Sequence, residues 1–193
     1  MTMTAPVGHP VLAAIAERWS PKSYEPRDLD DADLCSLFEA ARWAPSSFNE
    51  QPWRFVVVRR EQAALFGRAL EGLVDANRAW ACDASALVFA IASLNLARNG
   101  RPNSKALYDL GQAMALLSVE AAARGLAVHQ MGGILPESIA ALCGVPEGFQ
   151  VVTAAAIGYP AAELEGGGAV RSRRPLRESV FGATWGRPAE FLS

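Results

Sequence analysis

The run of small and apolar residues from Ala84 to Ala92 (ASALVFAIA) constrains the fold of this 193-residue chain more than any other feature. It is under half the length of about 20 residues that a membrane-spanning helix needs. Its Val, Phe and Ile residues favour extended backbone, and a short apolar run of this kind is typical of a buried strand. The run therefore predicts the interior of a sheet in a soluble protein and not a membrane span.

Helical and strand patterns alternate on both sides of this run. The predicted helices lie at 10–19, 30–44, 61–74, 104–124 and 136–142, and the predicted strands lie at 54–59, 84–92, 126–130 and 150–158. In the second helix the apolar residues recur with the 3.6-residue period of one helix face. Gly125 and Gly144 follow two of the helices, where a glycine commonly ends the helix. The alternation predicts an α/β or α+β sheet domain.

Length and charge narrow the functional classes. Residues 1–193 are expected to form one domain, because about 100–200 residues form one domain. The formal net charge of −2 provides no global basic field for nucleic acid. The N-terminal MTMTAPVGHP lacks the pattern of a signal peptide, so we predict a cytoplasmic protein. Three widely separated cysteines, an odd number, are interpreted as buried reduced thiols: Cys35, Cys82 and Cys143.

The signatures of several common chemistries are absent. The chain contains no GxxxxGK[ST] or GxGxxG phosphate loop, no GxSxG nucleophile motif and no HExxH motif. It has two histidines, and its cysteines do not have the spacing of a zinc site, so no metal site is predicted. No catalytic acid, base or nucleophile is assigned either. This profile suits a protein whose reactivity belongs to a bound cofactor, but a simple binding domain has the same profile.

Two basic segments could bind a phosphate group. Only two of the 18 basic residues are lysines, and arginine suits bidentate recognition of phosphate. Arg18–Tyr24 (RWSPKSY) places two cations and two hydroxyl groups around a proline, and Arg171–Arg174 (RSRR) follows a run of glycines. The alternatives are cations that stabilise the end of a helix, for the first segment, and a solvated basic tail, for the second.

Two turns carry polar or conformationally free groups. Pro45–Trp53 (PSSFNEQPW) is rich in hydroxyl and amide side chains, which match the mixed donor and acceptor edge of a heterocycle. The alternative for this segment is a capped loop bounded by prolines. In Gln130–Gly133 (QMGG) the backbone N–H groups could approach a ligand closely, although an ordinary turn from strand to helix has the same pattern.

Taken together and in this order, these segments resemble the nitroreductase family of FMN-dependent oxidoreductases. The matching segments are 18–24 (RWSPKSY), 39–58 (EAARWAPSSFNEQPWRFVVV), 111–126 (GQAMALLSVEAAARGL), 129–134 (HQMGGI), 155–160 (AAIGYP) and 171–180 (RSRRPLRESV). The APSSFNEQPW stretch is the most specific of them. The resemblance covers about residues 11–181 of the chain.

The resemblance implies which residues would hold FMN. The FMN phosphate would contact five charged or hydroxyl side chains: Arg18, Ser20, Lys22, Arg171 and Arg173. Trp19 would contribute mainly its backbone. The isoalloxazine and ribityl groups would be lined, typically from the partner subunit, by the PSSFNEQ loop, namely by Pro45, Ser46, Ser47, Asn49 and, with less specificity, Gln51. The backbone of Gly132 and Gly133 would lie beside the flavin N5, where many members carry Glu-Gly.

The resemblance also implies an architecture. The expected fold is an α+β sandwich with a mostly antiparallel sheet surrounded by helices, and with a C-terminal segment that crosses to the partner subunit. The run 165–169 (EGGGA) suits the departure point of that segment. Two FMN sites would lie at the interface of a homodimer. The segment 93–105 is short where many members carry a helical lid, which leaves the shape of the substrate pocket open.

The activity that the resemblance implies is the oxidation of NADH or NADPH, with transfer of a hydride to FMN and then of reducing equivalents to a small-molecule oxidant in a ping-pong cycle. Nitroaromatics, quinones and related electrophiles are the expected acceptors. The alternative is a flavin-binding carrier or sensor without reductase turnover. Tyr108 and Trp80 are candidate pocket aromatics, although a place in the core is favoured for both.

Overall fold

The computed structural model describes residues 4–161 and 171–192, and its elements follow the predicted order. The α-helices of this part are α1 (Ala13–Glu17), α2 (Asp31–Arg42), α3 (Ala63–Leu70), α4 (Asp75–Ala81), α5 (Ala106–Ala123) and α6 (Pro136–Cys143). Its strands are β1 (Trp53–Arg59), β2 (Ala86–Ser93), β3 (Ala127–Met131) and β4 (Phe149–Gly158). Single turns of 3₁₀ helix occupy Ser47–Asn49, Leu176–Glu178 and Glu190–Leu192.

Strand β2 lies inside an antiparallel sheet with the strand order β1-β2-β4-β3. Val88 and Ala90 belong to one core cluster, whereas Leu87 and Phe89 belong to the other. Side chains alternate between the two faces of a strand, so both faces of β2 are covered. This arrangement confirms the buried strand predicted from the apolar run and explains why the run shows no alternation of polar and apolar residues.

Helices cover the two faces of the sheet in separate layers. Leu37 of α2 and Leu117 of α5 are fully buried in the first cluster. Phe66 of α3, Ala81 of α4 and Ile139 of α6 are buried in the second cluster, on the opposite face. The expected α+β sandwich with an antiparallel sheet surrounded by helices is therefore confirmed.

The predicted helix 61–74 is wrong in its extent. Helix α3 ends at Leu70, and a second helix, α4, begins at Asp75. The carbonyl of Gly72 accepts a hydrogen bond from the Leu135 N–H at 2.7 Å, so the chain turns here to meet the start of α6. A Cβ on Gly72 would lie 2.5 Å from Cγ1 of Ile139. A contact 67 positions away thus interrupts a pattern that is locally helical.

Helix α1 is shorter than predicted, because it begins at Ala13 and ends at Glu17 and not at Pro10 and Trp19. Leu12, which precedes it, has extended backbone and is 71% exposed. Burial of Leu12 therefore contributes little to helix formation at this position, and short helices need such packing. The other helices and the strands agree with their predicted ranges to within about two or three residues.

Two expectations about burial are wrong. Cys35 and Cys82 are exposed free thiols, and Cys143 is partly buried. Tyr108 does not belong to the core, since it is 70% exposed on α5. Trp80 does pack against the second core cluster. Cys35 is on α2 and Tyr108 is on α5, and the helical period allows either side chain on the outer face, so only the packing of each helix decides their exposure.

The C-terminal segment 171–192 has few buried residues, and Trp185 within it is 90% exposed. The predicted departure point at 165–169 lies outside the described residues. None of the helices in residues 4–161 and 171–192 combines the length and hydrophobicity needed to cross a bilayer.

Candidate functional site

A basic cluster joins the two ends of the chain. Arg18, Ser20 and Lys22 follow α1, and Nη1 of Arg18 lies 3.3 Å from Oγ of Ser20. The Arg171 guanidinium donates hydrogen bonds to the carbonyl of Arg18 and, at 2.8 Å, to the carbonyl of Ala16. The structure therefore brings together two basic segments that lie 153 positions apart in the sequence.

Like charges meet in this cluster. Burial lowers the pKa of the Arg18 guanidinium, and the positive charges of Arg171 and Arg173 lower it further. Guanidinium groups that repel one another gain stability when an anion binds between them. The cluster thus has the charge and the donor groups that a phosphate requires.

A cavity of about 760 Å³ opens beside the cluster. One part of its wall consists of five arginines, namely Arg18, Arg171, Arg173, Arg174 and Arg177. Another part is apolar and includes Val11 and Ile15 at α1 and Phe191 near the C-terminus. Among the described residues, those at 45–51 and 132–133 are not part of this wall. Ser20 and Lys22 are not part of it either, so this cavity contains the arginines of the predicted FMN site but not its other residues.

The RWSPKSY segment is anchored to the sheet through its backbone and through Tyr24. The Tyr24 hydroxyl donates to the carbonyl of Ala156 in β4 at 3.2 Å, and burial raises the pKa of this phenol. Nδ1 of His129 in β3 lies 2.8 Å from the carbonyl oxygen of Pro21. Trp19 is half-buried in the same segment. An irregular segment is thus fixed where it carries its cationic side chains.

The PSSFNEQ loop, residues 45–51, has an uncommon backbone. Phe48, Asn49 and Gln51 have φ angles of +54°, +55° and +47°. Left-handed backbone is tolerated by asparagine, but it is costly for phenylalanine and glutamine, and such conformations cluster at functional sites. The side chains of Pro45 and Asn49 are exposed, so the loop presents groups to the surroundings of this chain.

Two buried carboxylates hold the PSSFNEQ loop from opposite ends. Oδ2 of Asp109 in α5 accepts a hydrogen bond from the Ser47 N–H at 3.0 Å, and Asp109 is 2% exposed. The Glu50 carboxylate accepts from the Ala97 N–H at 2.7 Å and pairs with Arg98 at 3.4 Å. The short segment 93–105 is therefore packed against this loop through Glu50.

The shape of the loop is fixed further by its own side chains and by one ring contact. Oγ of Ser46 accepts a hydrogen bond from the Gln51 N–H at 3.0 Å, and the Gln51 amide donates to the Asn49 carbonyl at 3.0 Å. The guanidinium of Arg98 lies 3.7 Å from the centre of the Phe48 ring. These contacts together keep the left-handed residues in place.

The two glycines after β3 differ in their surroundings. A Cβ on Gly132 would meet nothing within 4 Å. A Cβ on Gly133 would lie 2.7 Å from Nδ2 of Asn77 and 2.8 Å from Cγ2 of Val74. The Gly133 carbonyl also accepts a hydrogen bond from the Asn77 side chain at 2.9 Å. Gly133 is therefore required for packing against α4, whereas Gly132 leaves open space above the backbone.

Sequence reasoning missed the residues that support the site, namely Asp109, Glu50, Arg98 and His129. Only Asp109 carries a signal in the sequence. It lies in α5 next to Leu110 and on the stripe that also contains Ala106 and Ala113, all of them buried. A carboxylate within an apolar helix stripe needs a hydrogen-bond donor, which here is a backbone N–H of the PSSFNEQ loop.

No group of three or more His, Cys, Asp or Glu side chains in residues 4–161 and 171–192 is arranged so that it could hold a metal ion.

Comparisons with known proteins identify the family. The model of the nitroreductase family matches residues 15–159. An Archaeoglobus fulgidus protein with the provisional name NADH dehydrogenase/NAD(P)H nitroreductase is 32% identical over 170 residues, which cover 80% of this chain and 87% of that protein. A Thermus thermophilus protein named NADH dehydrogenase is 30% identical, with 94% of this chain and 99% of that protein covered.

Solved structures agree with this result. A crystal structure described as an oxidoreductase containing FMN superimposes with a TM-score of 0.85 and 28% identity, and it covers 94% of this chain and 96% of that chain. The family model spans most of the chain, and the two relatives cover 80% and 94% of it. The resemblance seen in the sequence motifs is thereby confirmed, and the chain belongs to the nitroreductase family.

Proposed function

We propose that this chain is an FMN-dependent oxidoreductase that oxidises NADH or NADPH and reduces a small electrophilic molecule, such as a nitroaromatic or a quinone, in a ping-pong cycle. Several relatives are named NADH dehydrogenases or NAD(P)H nitroreductases, and one similar structure is described as containing FMN. These names support the class of donor and the cofactor. The observation that carries the proposal is the meeting of Arg18, Arg171 and Arg173 in one cluster.

The basic cluster fits the phosphate end of FMN. Arg18, Ser20 and Lys22, with Arg171 and Arg173, supply charged and hydroxyl donors, and each charge-assisted hydrogen bond contributes about 1.5–3 kcal/mol. Because the cationic groups already repel one another, the phosphate also relieves an unfavourable interaction of the ligand-free protein. Trp19 contributes its backbone at the same place.

The PSSFNEQ loop fits the ring and ribityl end of FMN in the partner subunit's site. Its residues do not line the cavity beside the basic cluster of their own chain, which agrees with a role in the partner's site. Pro45, Ser46, Ser47, Asn49 and Gln51 offer hydroxyl, amide and backbone groups for this contact. We therefore propose a homodimer with FMN at the interface, and a C-terminal segment that crosses to the partner.

An apolar surface of α5 supports the homodimer. Leu107, Tyr108 and Leu116 are 47%, 70% and 38% exposed on this helix, and Trp43 at the end of α2 is 72% exposed. Large apolar side chains left open to water are candidates for burial in an interface. Asp109, which holds the PSSFNEQ loop, is on the same helix, so an interface along α5 would bring the loop close to the partner.

When bound, FMN would supply the redox chemistry, since its N5 accepts a hydride from the nicotinamide and later releases the electrons to the acceptor. The residues of this chain would bind FMN and orient it. We assign the reactive edge of the ring to the Gly132 backbone, where the open space leaves room for a ligand. No side-chain acid or base is assigned to the reaction, and solvent or the substrate itself supplies protons.

The short segment 93–105 bears on which acceptors can enter. It is tied to the PSSFNEQ loop by Glu50, and it forms the bridge between Asn95 and Pro102 without adding a helix. A site without a helical lid would be open, which suits small planar acceptors that approach directly. We also propose that residues 1–193 form a single FMN-binding domain and that the protein acts in the cytoplasm.

The test is the visible absorption spectrum of the purified protein, followed by anaerobic addition of NADH and of NADPH in separate experiments. We expect a flavin spectrum that either donor bleaches within seconds, and the faster donor identifies the preference. A flavin spectrum that neither donor bleaches would favour a carrier or sensor. A colourless protein that takes up no added FMN would refute the proposal.

A further inference from the structure

His129 links the sheet to the RWSPKSY segment through one hydrogen bond. Its Nδ1 lies 2.8 Å from the carbonyl oxygen of Pro21. A carbonyl oxygen can only accept, so Nδ1 carries the hydrogen and the neutral ring has its free lone pair on Nε2. Pro21 itself is buried, whereas its neighbours Ser20 and Lys22 are exposed. The bond therefore holds Pro21, which lies between the two cluster residues Ser20 and Lys22.

The imidazole is held in place by aromatic neighbours. The ring centre of His129 lies 4.5 Å from that of Trp80, and Trp80 stacks on Tyr24 at 6.5 Å. Tyr24 is 4% exposed and donates to the Ala156 carbonyl of β4. The position of Nδ1 is thus set by the buried aromatic residues and by the sheet.

The bond to Pro21 also orients the next peptide group. The peptide unit is planar and trans, so the direction of the Pro21 carbonyl determines the opposite direction of the Lys22 N–H. At the start of the segment, three residues before Pro21, Arg171 donates to the carbonyl of Arg18. The segment is therefore clamped from the C-terminal segment at one point and from β3 at another.

Resting on the proposed function, we propose that His129 is a positioning residue for the phosphate of FMN. It acts through the Pro21 carbonyl, and it sets the orientation of Ser20 and Lys22 before the ligand arrives. A preorganised donor group binds more tightly because less ordering is needed on binding. The loss of the bond therefore weakens the phosphate contact and leaves the ring contacts of the flavin unchanged.

The electrostatics agree with a neutral imidazole in the ligand-free protein. Burial lowers the pKa of His129, the hydrogen bond to Pro21 opposes this effect, and the charges of Lys22 and Arg18 lower the pKa further. A neutral ring adds no further positive charge to the cluster. Its contribution is therefore geometric, through the Nδ1–H bond.

Two substitutions separate the hydrogen bond from the packing. In His129→Asn the amide nitrogen takes nearly the place of Nδ1, so the donor is retained and the ring is lost. In His129→Phe the ring against Trp80 is retained and the donor is lost. The measurement is the dissociation constant of each protein for FMN and for riboflavin, which lacks the phosphate, by titration with flavin fluorescence.

We expect the wild type to bind FMN more tightly than riboflavin, and His129→Asn to keep most of this preference. In His129→Phe the preference falls about tenfold, because Ser20 and Lys22 must then be ordered when the phosphate binds, with little change in riboflavin affinity. An unchanged preference in His129→Phe, or an equal loss in both variants, would overturn the proposal. A wild type without preference for FMN would instead refute the phosphate site itself.

A second measurement does not depend on the folding of either variant. The ¹⁵N chemical shifts of the wild-type imidazole report which ring nitrogen carries the hydrogen. We expect an Nδ1–H tautomer whose signals move on addition of FMN and move less on addition of riboflavin. An Nε2–H tautomer, or equal responses to the two ligands, would overturn the proposal.

Discussion

The basic cluster and the PSSFNEQ loop, the two proposed parts of the FMN site, are built in different ways. The cluster consists of long cationic side chains from both ends of the chain, and its strength comes from charge. The loop consists of backbone with an uncommon shape, which two buried carboxylates maintain. In the proposed site the cluster would attract a ligand by charge, whereas the loop would select it by shape.

The two regions also differ in what they cost the ligand-free protein. In the cluster the cost is repulsion between guanidinium groups, and a bound anion removes it. In the loop the cost is left-handed backbone at Phe48 and Gln51, about 1–3 kcal/mol for each strained residue, and the ligand does not remove it. The loop therefore needs Asp109 and Glu50 to maintain its strained shape with or without a ligand, whereas the repulsion in the cluster is relieved by a bound anion.

The largest effect is expected for Arg18→Ala. Loss of a charge-assisted hydrogen bond from a partly buried guanidinium lowers FMN affinity about 100-fold, which corresponds to about 2.7 kcal/mol. Riboflavin affinity stays within about twofold, because the missing contact is with the phosphate. The measurement is flavin titration of the ligand-free protein, with Arg68→Ala, an exposed arginine on α3, as the matched control.

The same Arg18→Ala variant tests whether repulsion between guanidinium groups destabilises the ligand-free protein. Removal of one of three mutually repelling guanidinium groups should leave the melting temperature of the ligand-free protein unchanged or slightly higher. A fully loaded variant with normal affinity would reject the phosphate assignment. A variant that fails to fold would show that Arg18 serves the structure and not the ligand.

Asp109→Ala is expected to destabilise the PSSFNEQ loop and to weaken both flavins, whereas Arg18→Ala weakens FMN alone. It leaves the Ser47 N–H without its acceptor, which lowers the free energy of unfolding by about 1–3 kcal/mol. FMN and riboflavin should lose affinity equally, by about tenfold, because both ligands carry the ring. Urea unfolding and flavin titration measure the two effects, and Asp109→Asn, which keeps an acceptor oxygen, is the control. A selective loss of FMN affinity would contradict the division between the two regions.

The smallest effect is a pH dependence confined to the cluster. The pKa of His129 in the folded protein lies below its ordinary value of 6.5, chiefly because of burial. The unfolded chain therefore binds more protons as the pH falls through about 6.5, and the contribution of neutral His129 to stability is lost below that pH. Melting temperatures of ligand-free protein between about pH 5 and 8 measure this slope.

His129→Phe should flatten this slope relative to the wild type, and Asp109→Ala should retain it, since Asp109 holds the loop and not the cluster. FMN should also reduce the slope, because a phosphate near Lys22 and Arg18 favours the protonated imidazole. An identical slope in the wild type and in His129→Phe would show that other groups govern the acid sensitivity of the protein.

Much of the fold could be predicted because local patterns and tertiary packing agree. The run at 84–92 has no polar face, and the strand it forms is covered on both sides. The predicted helix 61–74 failed because Gly72 packs against Ile139, which no local pattern reports. The prediction of a buried Cys35 was wrong for a related reason, since the period of a helix identifies its faces but not which of them meets the core.

The candidate site also has features that the sequence predicts and features that only the folded structure shows. The sequence by itself determined the kinds of group available, namely arginines for a phosphate, a polar loop between prolines and a glycine pair, and the order of these motifs identified the family. Tertiary structure alone decided that Arg171 meets Arg18, that Asp109 and Glu50 hold the PSSFNEQ loop, and that His129 reaches Pro21. The physical reason is that residue type sets the chemistry of a group, whereas its partner is set by distances that only the folded chain defines.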